Sequence, residues 1–146
     1  MHDEVMARVA LFGAAFAALY AAHQVADHWV QTQHQADEKG KPGWCGRWNC
    51  VKHVGSYTLT QLVALVVAAW WLGFAWPAGW LAAGLGVSAV THYFADRRAP
   101  LRKLAEASGS GKFYRLADFG LNGAYLLDQS WHVGWLFVAA LVIVGP

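Results

Sequence analysis

The chain has 146 residues, enough for one domain, and 57% of them are hydrophobic. Only 14% are charged, where soluble domains have roughly 25%. The net charge of +2 gives no sign of a nucleic-acid partner, and the long apolar runs lack the polar stripe that a soluble helix bundle needs. The composition therefore predicts an integral membrane protein.

The first apolar segment, residues 5–30, carries ionisable side chains near its end. Its leader contains Asp3 and Glu4 against one arginine, the opposite of the basic start of a signal peptide, so we expect the segment to be retained. His23 and Asp27 lie four residues apart, which places both on one face of a helix. Ionisable residues at membrane depth mark a functional site by default.

The second predicted span, residues 51–76, begins with a polar face. His53 lies in its first turn, and Tyr57 and Gln61 follow one and two turns later on the same face. Gln31 stands in the same relation to the first span, two turns after its histidine. We expect these three neighbours of the histidines to line a shared site.

The connection between these spans, residues 31–50, is polar and predicted to be a cytoplasmic loop. It contains Cys45 and Cys50, whose spacing fits a separate zinc site with His34 and His53. The alternative is a loop with two ordinary thiols, since a stable disulfide is not expected in the cytoplasm.

The third and fourth predicted spans repeat the histidine–aspartate spacing. Residues 78–95 lead into His92 and Asp96, and a second cytoplasmic connection at residues 97–115 includes a short amphipathic surface helix at 101–107. The last span takes up residues 122–146, with its start open between positions 116 and 130. It carries Asp128 and His132 in its first turns.

Lysine and arginine concentrate in the two long connections, so the positive-inside rule places both in the cytoplasm and both termini outside. The sequence thus predicts a single domain, residues 1–146, folded as an all-α integral membrane four-helix bundle with up-down-up-down topology. His53-Val54-Gly55 and His132-Val133-Gly134 follow similar pairs in each half, which suggests two parallel helical-hairpin repeats. In this topology the ionisable residues meet in the cytoplasmic leaflet.

Imidazole and carboxylate groups are ligands of zinc and of other divalent metals, and zinc is the expected cofactor. The residues predicted to form the metal site are His23, Asp27, His53, His92, Asp96, Asp128 and His132. They would serve either two metal ions or one ion with supporting carboxylates. The alternative is a set of His–Asp hydrogen bonds that only hold the helices together in lipid.

The motifs around these residues, such as Thr91-His92-Tyr-Phe-Ala-Asp96-Arg and Asp128-Gln129-Ser-Trp-His132, resemble a family of small bacterial membrane proteins. That family is domain of unknown function 3307, and the basic second connection resembles its actinobacterial branch. The resemblance covers nearly the whole chain. It implies a multi-pass protein of the bacterial cytoplasmic (inner) membrane and supplies no activity.

Three functions fit these patterns. The first is a metal-dependent hydrolase of a lipid or amphiphilic substrate, with Asp27, Asp96 and Asp128 as catalytic carboxylates. The second is a small divalent-cation or proton transporter that uses the same residues as a relay. The third is a membrane scaffold that docks a cytoplasmic partner, and each function is compatible with a homo-oligomer.

Overall fold

Seven α-helices account for most of residues 2–145, the part of the chain that the computed structural model describes. In chain order they are α1 (His2–Val25), α2 (Gln33–Glu38), α3 (Gly43–Leu72), α4 (Ala78–Asp96), α5 (Ala99–Ala107), α6 (Gly111–Tyr114) and α7 (Gly123–Val144). A π-helical turn (Ala26–Val30) continues α1, and a short antiparallel ladder of β1 (Ala117–Asp118) with β2 (Leu121–Asn122) leads into α7. The predicted all-α class is confirmed.

Three stretches are long and apolar enough to cross a membrane: His2–Val30, Gly43–Leu72 and Gly123–Val144. They support the prediction of a membrane protein. The helix α4 is not among them, although its 19 residues would extend about 28 Å, close to the roughly 30 Å of a bilayer core. The predicted bundle of four spans therefore requires α4 in addition to these three stretches.

The helix ends follow local signals, some of which differ from the predicted span limits. The helix α3 begins directly after Pro42 and ends at Gly73, whose φ of 74° suits a glycine at a helix C-terminus. The predicted second span began at position 51, eight residues too late, because nothing after Pro42 interrupts a helix. The predicted loop of residues 31–50 therefore contains α2 and the first two turns of α3.

The interior of the bundle is apolar at one end. Its core there consists of Ala15, Leu19, Leu65, Leu85, Leu136, Ala139, Ala140 and Ile143. On α1, Leu19 comes one turn before His23, and on α3, Leu65 comes three turns after His53. Because these helices run in opposite directions, the histidines occupy the level beyond the apolar core.

Two arginines tie α2 and the segment after it to the end of α4. Arg97 donates hydrogen bonds to the backbone carbonyls of Lys39 and Lys41, and Arg98 donates to the carbonyl of Ala36 at 2.9 Å. The predicted amphipathic helix is present as α5, which buries two side chains against the bundle. These contacts close the polar end of the molecule and fix the backbone of Lys39 beside the histidines.

Candidate metal centre

The structure brings all seven predicted histidines and aspartates together at the polar end of the bundle. The four histidines are at most 2% exposed. Three overlapping groups have donor atoms within 4.8 Å of one another, and each could hold a metal ion. These groups are His23/Asp27/His92, His53/His92/Asp96 and Asp96/Asp128/His132. The prediction that the seven side chains meet is confirmed, whereas their roles stay predictions.

Four donor atoms in this cluster surround a single point. The Nε2 atoms of His53 and His92 are 3.0 Å apart. Oδ1 of Asp27 lies 3.4 and 3.5 Å from these two nitrogens, and Oδ2 of Asp96 lies 3.3 and 3.2 Å from them. Four donors that bind zinc tetrahedrally at about 2.0–2.1 Å would be about 3.4 Å apart. The five separations are close to that value, so the two imidazoles together with either aspartate have the spacing of zinc ligands.

Each of the two aspartates uses its other oxygen to contact a supporting residue. Oδ2 of Asp27 lies 3.5 Å from Nδ1 of His23, and Oδ1 of Asp96 lies 2.7 Å from Nζ of Lys39. Oδ1 of Asp27 and Oδ2 of Asp96, which face the central point, are buried and have no hydrogen-bond partner among the described residues. Supporting contacts of this kind orient metal ligands in proteins.

Packing fixes the ring of His92. It is sandwiched between the rings of Tyr57 at 3.7 Å and His132 at 4.1 Å, measured between centroids. The Tyr57 hydroxyl accepts a hydrogen bond from Gln61 at 2.8 Å, and Ser88 donates to the same glutamine at 2.9 Å. Within the described chain, the Nδ1 atoms of both central histidines have no hydrogen-bond partner, so stacking orients the His92 ring.

The local chain conformation explains how Asp27 reaches two other helices. Asp27 lies in the π-helical turn after α1, where the backbone N–H of Gln31 donates to the carbonyl of Ala26 at 2.9 Å. Such turns add a residue to a helix and are frequent at functional sites.

The helix α3 positions His53 through a buried stripe along one face. The stripe consists of Asn49, His53 and the residues at four-residue intervals after His53.

A polar cavity of about 590 Å³ adjoins the metal centre. Its walls include all three predicted catalytic carboxylates, Asp27, Asp96 and Asp128. Asp128 is the most accessible of them, with its side chain 26% exposed, and it lies 3.5 Å from Nε2 of His132. Gln31 also lines this cavity, as predicted for a site-lining residue.

Tyr57 and Gln61 lie elsewhere in the site. Both are fully buried on the side of the cluster that faces the apolar core, where they support His92 and do not line the polar cavity. They therefore do not share the polar cavity with Gln31, and their role in lining the site stays a prediction. The physical reason is that both point into the bundle on the α3 stripe, deeper than His53.

Sequence reasoning missed three residues: Lys39 and Gln129, which contact the cluster, and Ser88, which bonds to Tyr57 and Gln61 behind it. Lys39 was attributed to membrane topology, because its sequence neighbourhood is only a basic loop. Gln129, whose side-chain oxygen lies 3.2 Å from Nε2 of His23, and Ser88 gave no signal beyond being polar residues in apolar helices. That signal could have identified both, since such residues must find partners in lipid.

The alternative zinc site at the cysteines has no geometric support. Cys45 is exposed and Cys50 is buried, with its Sγ 3.9 Å from the carbonyl oxygen of Tyr93. None of the metal-capable groups found among residues 2–145 includes a cysteine, and His53 belongs to the main cluster.

Comparisons with known proteins identify no relative. No family model matches the chain, and no curated protein or solved structure is significantly similar to it. Function is therefore inferred from the chemistry of the site.

Proposed function

We propose that this protein is a metal-dependent hydrolase of a lipid or amphiphilic substrate, with one divalent ion bound by His53, His92, Asp27 and Asp96. The observation that carries the proposal is a set of five donor separations of 3.0–3.5 Å, which join the two imidazoles to each other and to each aspartate. Zinc is the best fit, because imidazole and carboxylate donors suit it.

The buried charges support an ion at this position. Burying carboxylates without partners is costly, and Lys39 supplies only one positive charge for Asp27 and Asp96 together. Among residues 2–145 the inner oxygens of both aspartates lie 3.2–3.5 Å from histidine nitrogens without a hydrogen bond of good geometry, which is the spacing of ligands around an ion. A divalent cation would neutralise these oxygens and fill their coordination.

The polar cavity beside the metal centre supports the proposal that the site is catalytic and does more than bind a metal. A divalent ion would supply Lewis-acid activation of water or of a substrate oxygen. Asp128 is outside the set of four donors, faces the cavity and contacts His132, so we assign it the role of general base. Asp27 and Asp96 are assigned as metal ligands, His23 as a support of Asp27, and His132 as a support of Asp128.

The proposal includes the arrangement in the membrane. We assign α4 as the fourth span, because it packs alongside the apolar α7 and has nearly the length of a bilayer core. The basic connections then lie in the cytoplasm of a bacterium and both termini outside. Membership of the domain-of-unknown-function family that the motifs resemble belongs to the same proposal.

The apolar core argues against the transport alternative. Beyond the cluster, the interior of the bundle is filled by residues such as Leu19, Leu65, Leu136 and Ile143. Beyond Gln61 and Ser88, an ion crossing the bilayer would find no polar side chain among the buried described residues of this stretch. A site that opens on one side suits an enzyme better.

The first test measures metal content and hydrolysis in one preparation. The detergent-purified protein should contain about one divalent ion per chain by elemental analysis. It should also release product from vesicles of total bacterial lipid extract, detected by mass spectrometry. His92→Gln should lose the ion, whereas His34→Gln, an exposed histidine outside the cluster, should keep it. Asp128→Asn should keep the ion and lose at least 100-fold in turnover, about the contribution of a general base.

Two results would contradict the proposal. A folded wild-type protein that contains no metal would contradict the proposed metal centre. A metal-loaded wild-type protein that cleaves nothing in the lipid extract would contradict the proposed hydrolase activity.

A further inference from the structure

A second cavity, of about 310 Å³, lies between α5 and α7. Its walls are mostly apolar, with Ser108 and Ser130 as the exceptions, and include Leu101, Leu104 and Ala105 of α5 with Leu127, Trp135 and Val138 of α7. Its volume is at the lower end of the roughly 300–1,000 Å³ typical of ligand pockets. In a membrane protein, such an apolar groove suits a hydrocarbon chain.

The walls of this groove are held in place by defined contacts. The indole N–H of Trp131 donates to the carbonyl of Thr91 at 3.0 Å, and its ring stacks on Phe94 with centroids 5.1 Å apart. Leu101 and Ala105 are 6% and 5% exposed, so α5 is anchored against the bundle. At Gly134, an added Cβ would have no atom within 4 Å, which leaves room in the groove.

The groove adjoins the polar cavity of the metal centre. Leu101 lines both of them. Along α7, Leu127 faces the groove while the next two residues, Asp128 and Gln129, face the polar cavity. A molecule with its hydrocarbon chain in the groove would therefore have its polar end beside the catalytic carboxylates.

The charges of the polar cavity favour an anionic head. Lys39 and Arg98 line it, and with a divalent ion they would carry four positive charges against its three carboxylates. One N–H of Arg98 donates to the Ala36 carbonyl, and an arginine has five donors in a planar fork that matches phosphate oxygens. The hydroxyl-bearing side chain of Tyr114 lies in the same wall.

From these contacts we infer that the substrate is a phosphate-bearing lipid, with its head in the polar cavity near Arg98 and its chain in the groove between α5 and α7. This inference rests on the proposed hydrolase function and names its substrate class. The apolar groove selects a lipid over a soluble phosphate ester, and the cationic side chains select an anionic head over a neutral one.

The test uses a photoreactive phosphatidic acid that carries a diazirine in one acyl chain, as a trace component of phosphatidylcholine nanodiscs. After illumination, mass spectrometry should map the label to α5 and α7 in the wild type. Gly134→Leu should fill the groove and lower the labelling of these helices about tenfold, the change that about 1.4 kcal/mol produces. Gly55→Leu is the matched control: this glycine also follows a cluster histidine by two residues, has open space around it and lies on α3, outside the groove.

Two further arms identify the ligand. A diazirine diacylglycerol, which lacks the phosphate, should label the groove less than the phosphatidic acid does. Excess glycerol 3-phosphate should fail to displace the probe. Equal labelling by both lipids would overturn the assignment of an anionic head, and displacement by glycerol 3-phosphate would indicate a soluble substrate.

The failure of this inference differs from the failure of the proposed function. If labelling spreads over all lipid-facing helices and is insensitive to Gly134→Leu, the groove is not the binding site of the lipid chain. The proposed metal centre would not be affected by that result. Specific labelling of α5 and α7 in a protein that binds no metal would contradict the proposed hydrolase function. It would still support the groove as a lipid-binding site.

Discussion

At the scale of residues, Asp27 and Asp96 share one arrangement. One carboxylate oxygen of each faces the central point between the histidines, and the other oxygen contacts a supporting side chain. For Asp96 the supporting residue is Lys39, whose ammonium group lies 2.7 Å from the outer oxygen. The lysine is only 12% exposed and the aspartate 2%, so their interaction is little screened by water. Such a contact orients the carboxylate and fixes which oxygen faces the histidines.

Lys39→Met should therefore weaken metal binding without unfolding the helices. We expect the dissociation constant for zinc, measured by competition with a chelator, to rise about 10- to 100-fold, as for other residues that support metal ligands. The matched control is Lys41→Met, because Lys41 is 58% exposed and pairs only with Glu38. Equal affinities in the two variants would show that Lys39 has no role in orienting Asp96.

The histidines and aspartates of the cluster were predictable from the sequence, whereas the contribution of Lys39 was not. Histidine and aspartate four residues apart in an apolar helix is a strong signal, because spacing and burial are both visible in one segment. Lys39 reaches Asp96 from a connection 57 positions earlier in the chain. Its place depends on the hydrogen bonds of Arg97 and Arg98 to the backbone of that connection, and no local pattern encodes them.

At the scale of elements, composition located the helices better than it located their ends. The hydropathy of α3 falls off before residue 51, yet the helix starts at Gly43, because helix formation depends on propensity and membrane insertion on polarity. The π-helical turn at Ala26–Val30 was not predicted either. It depends on tertiary contacts of Asp27 with His53 and His92, on α3 and α4.

The packing of α4 on α7 depends on Gly84. A Cβ at this position would collide with the Ile143 side chain and with the carbonyl oxygen of Ala139, so the two helices are in close contact there. The helix α4 also carries two of the four proposed ligands, His92 and Asp96.

Gly84→Ala should therefore destabilise the protein by about 1–3 kcal/mol, the usual cost of overpacking. The effect would appear as a lower melting temperature in detergent, with a parallel loss of bound metal. Gly86→Ala on the same helix has open space and should be neutral or more stable, since alanine favours a helix by about 0.5–1 kcal/mol. Equal melting temperatures of the two variants would contradict the close approach at Gly84.

At the scale of the whole molecule, the proposed topology places both long connections on one side of the membrane. Cys45 lies in the first turn of α3, and position 108 lies after α4. Because α3 is long and apolar enough to span the bilayer, these two positions share a side only if α4 crosses it as well. Ala75, in the exposed turn between the two helices, would then lie on the opposite side.

A membrane-impermeant maleimide should distinguish these arrangements in bacterial spheroplasts. We expect Cys45, and Ser108→Cys in a Cys45→Ser background, to react only after lysis. Ala75→Cys in the same background should react in intact spheroplasts. Labelling of Cys45 and of the cysteine at position 108 from opposite sides would show that α4 does not span the membrane.

The closed apolar end of the bundle has a consequence for metal supply. In the proposed function, a divalent ion would enter from the side that carries the basic connections, because among the described residues the interior at the other end is filled by apolar side chains. The metal that the protein binds in a living cell would then depend on the free-ion concentrations of one compartment. If that compartment is the cytoplasm, starving the growth medium of zinc would inactivate the protein only once the buffered intracellular store is exhausted.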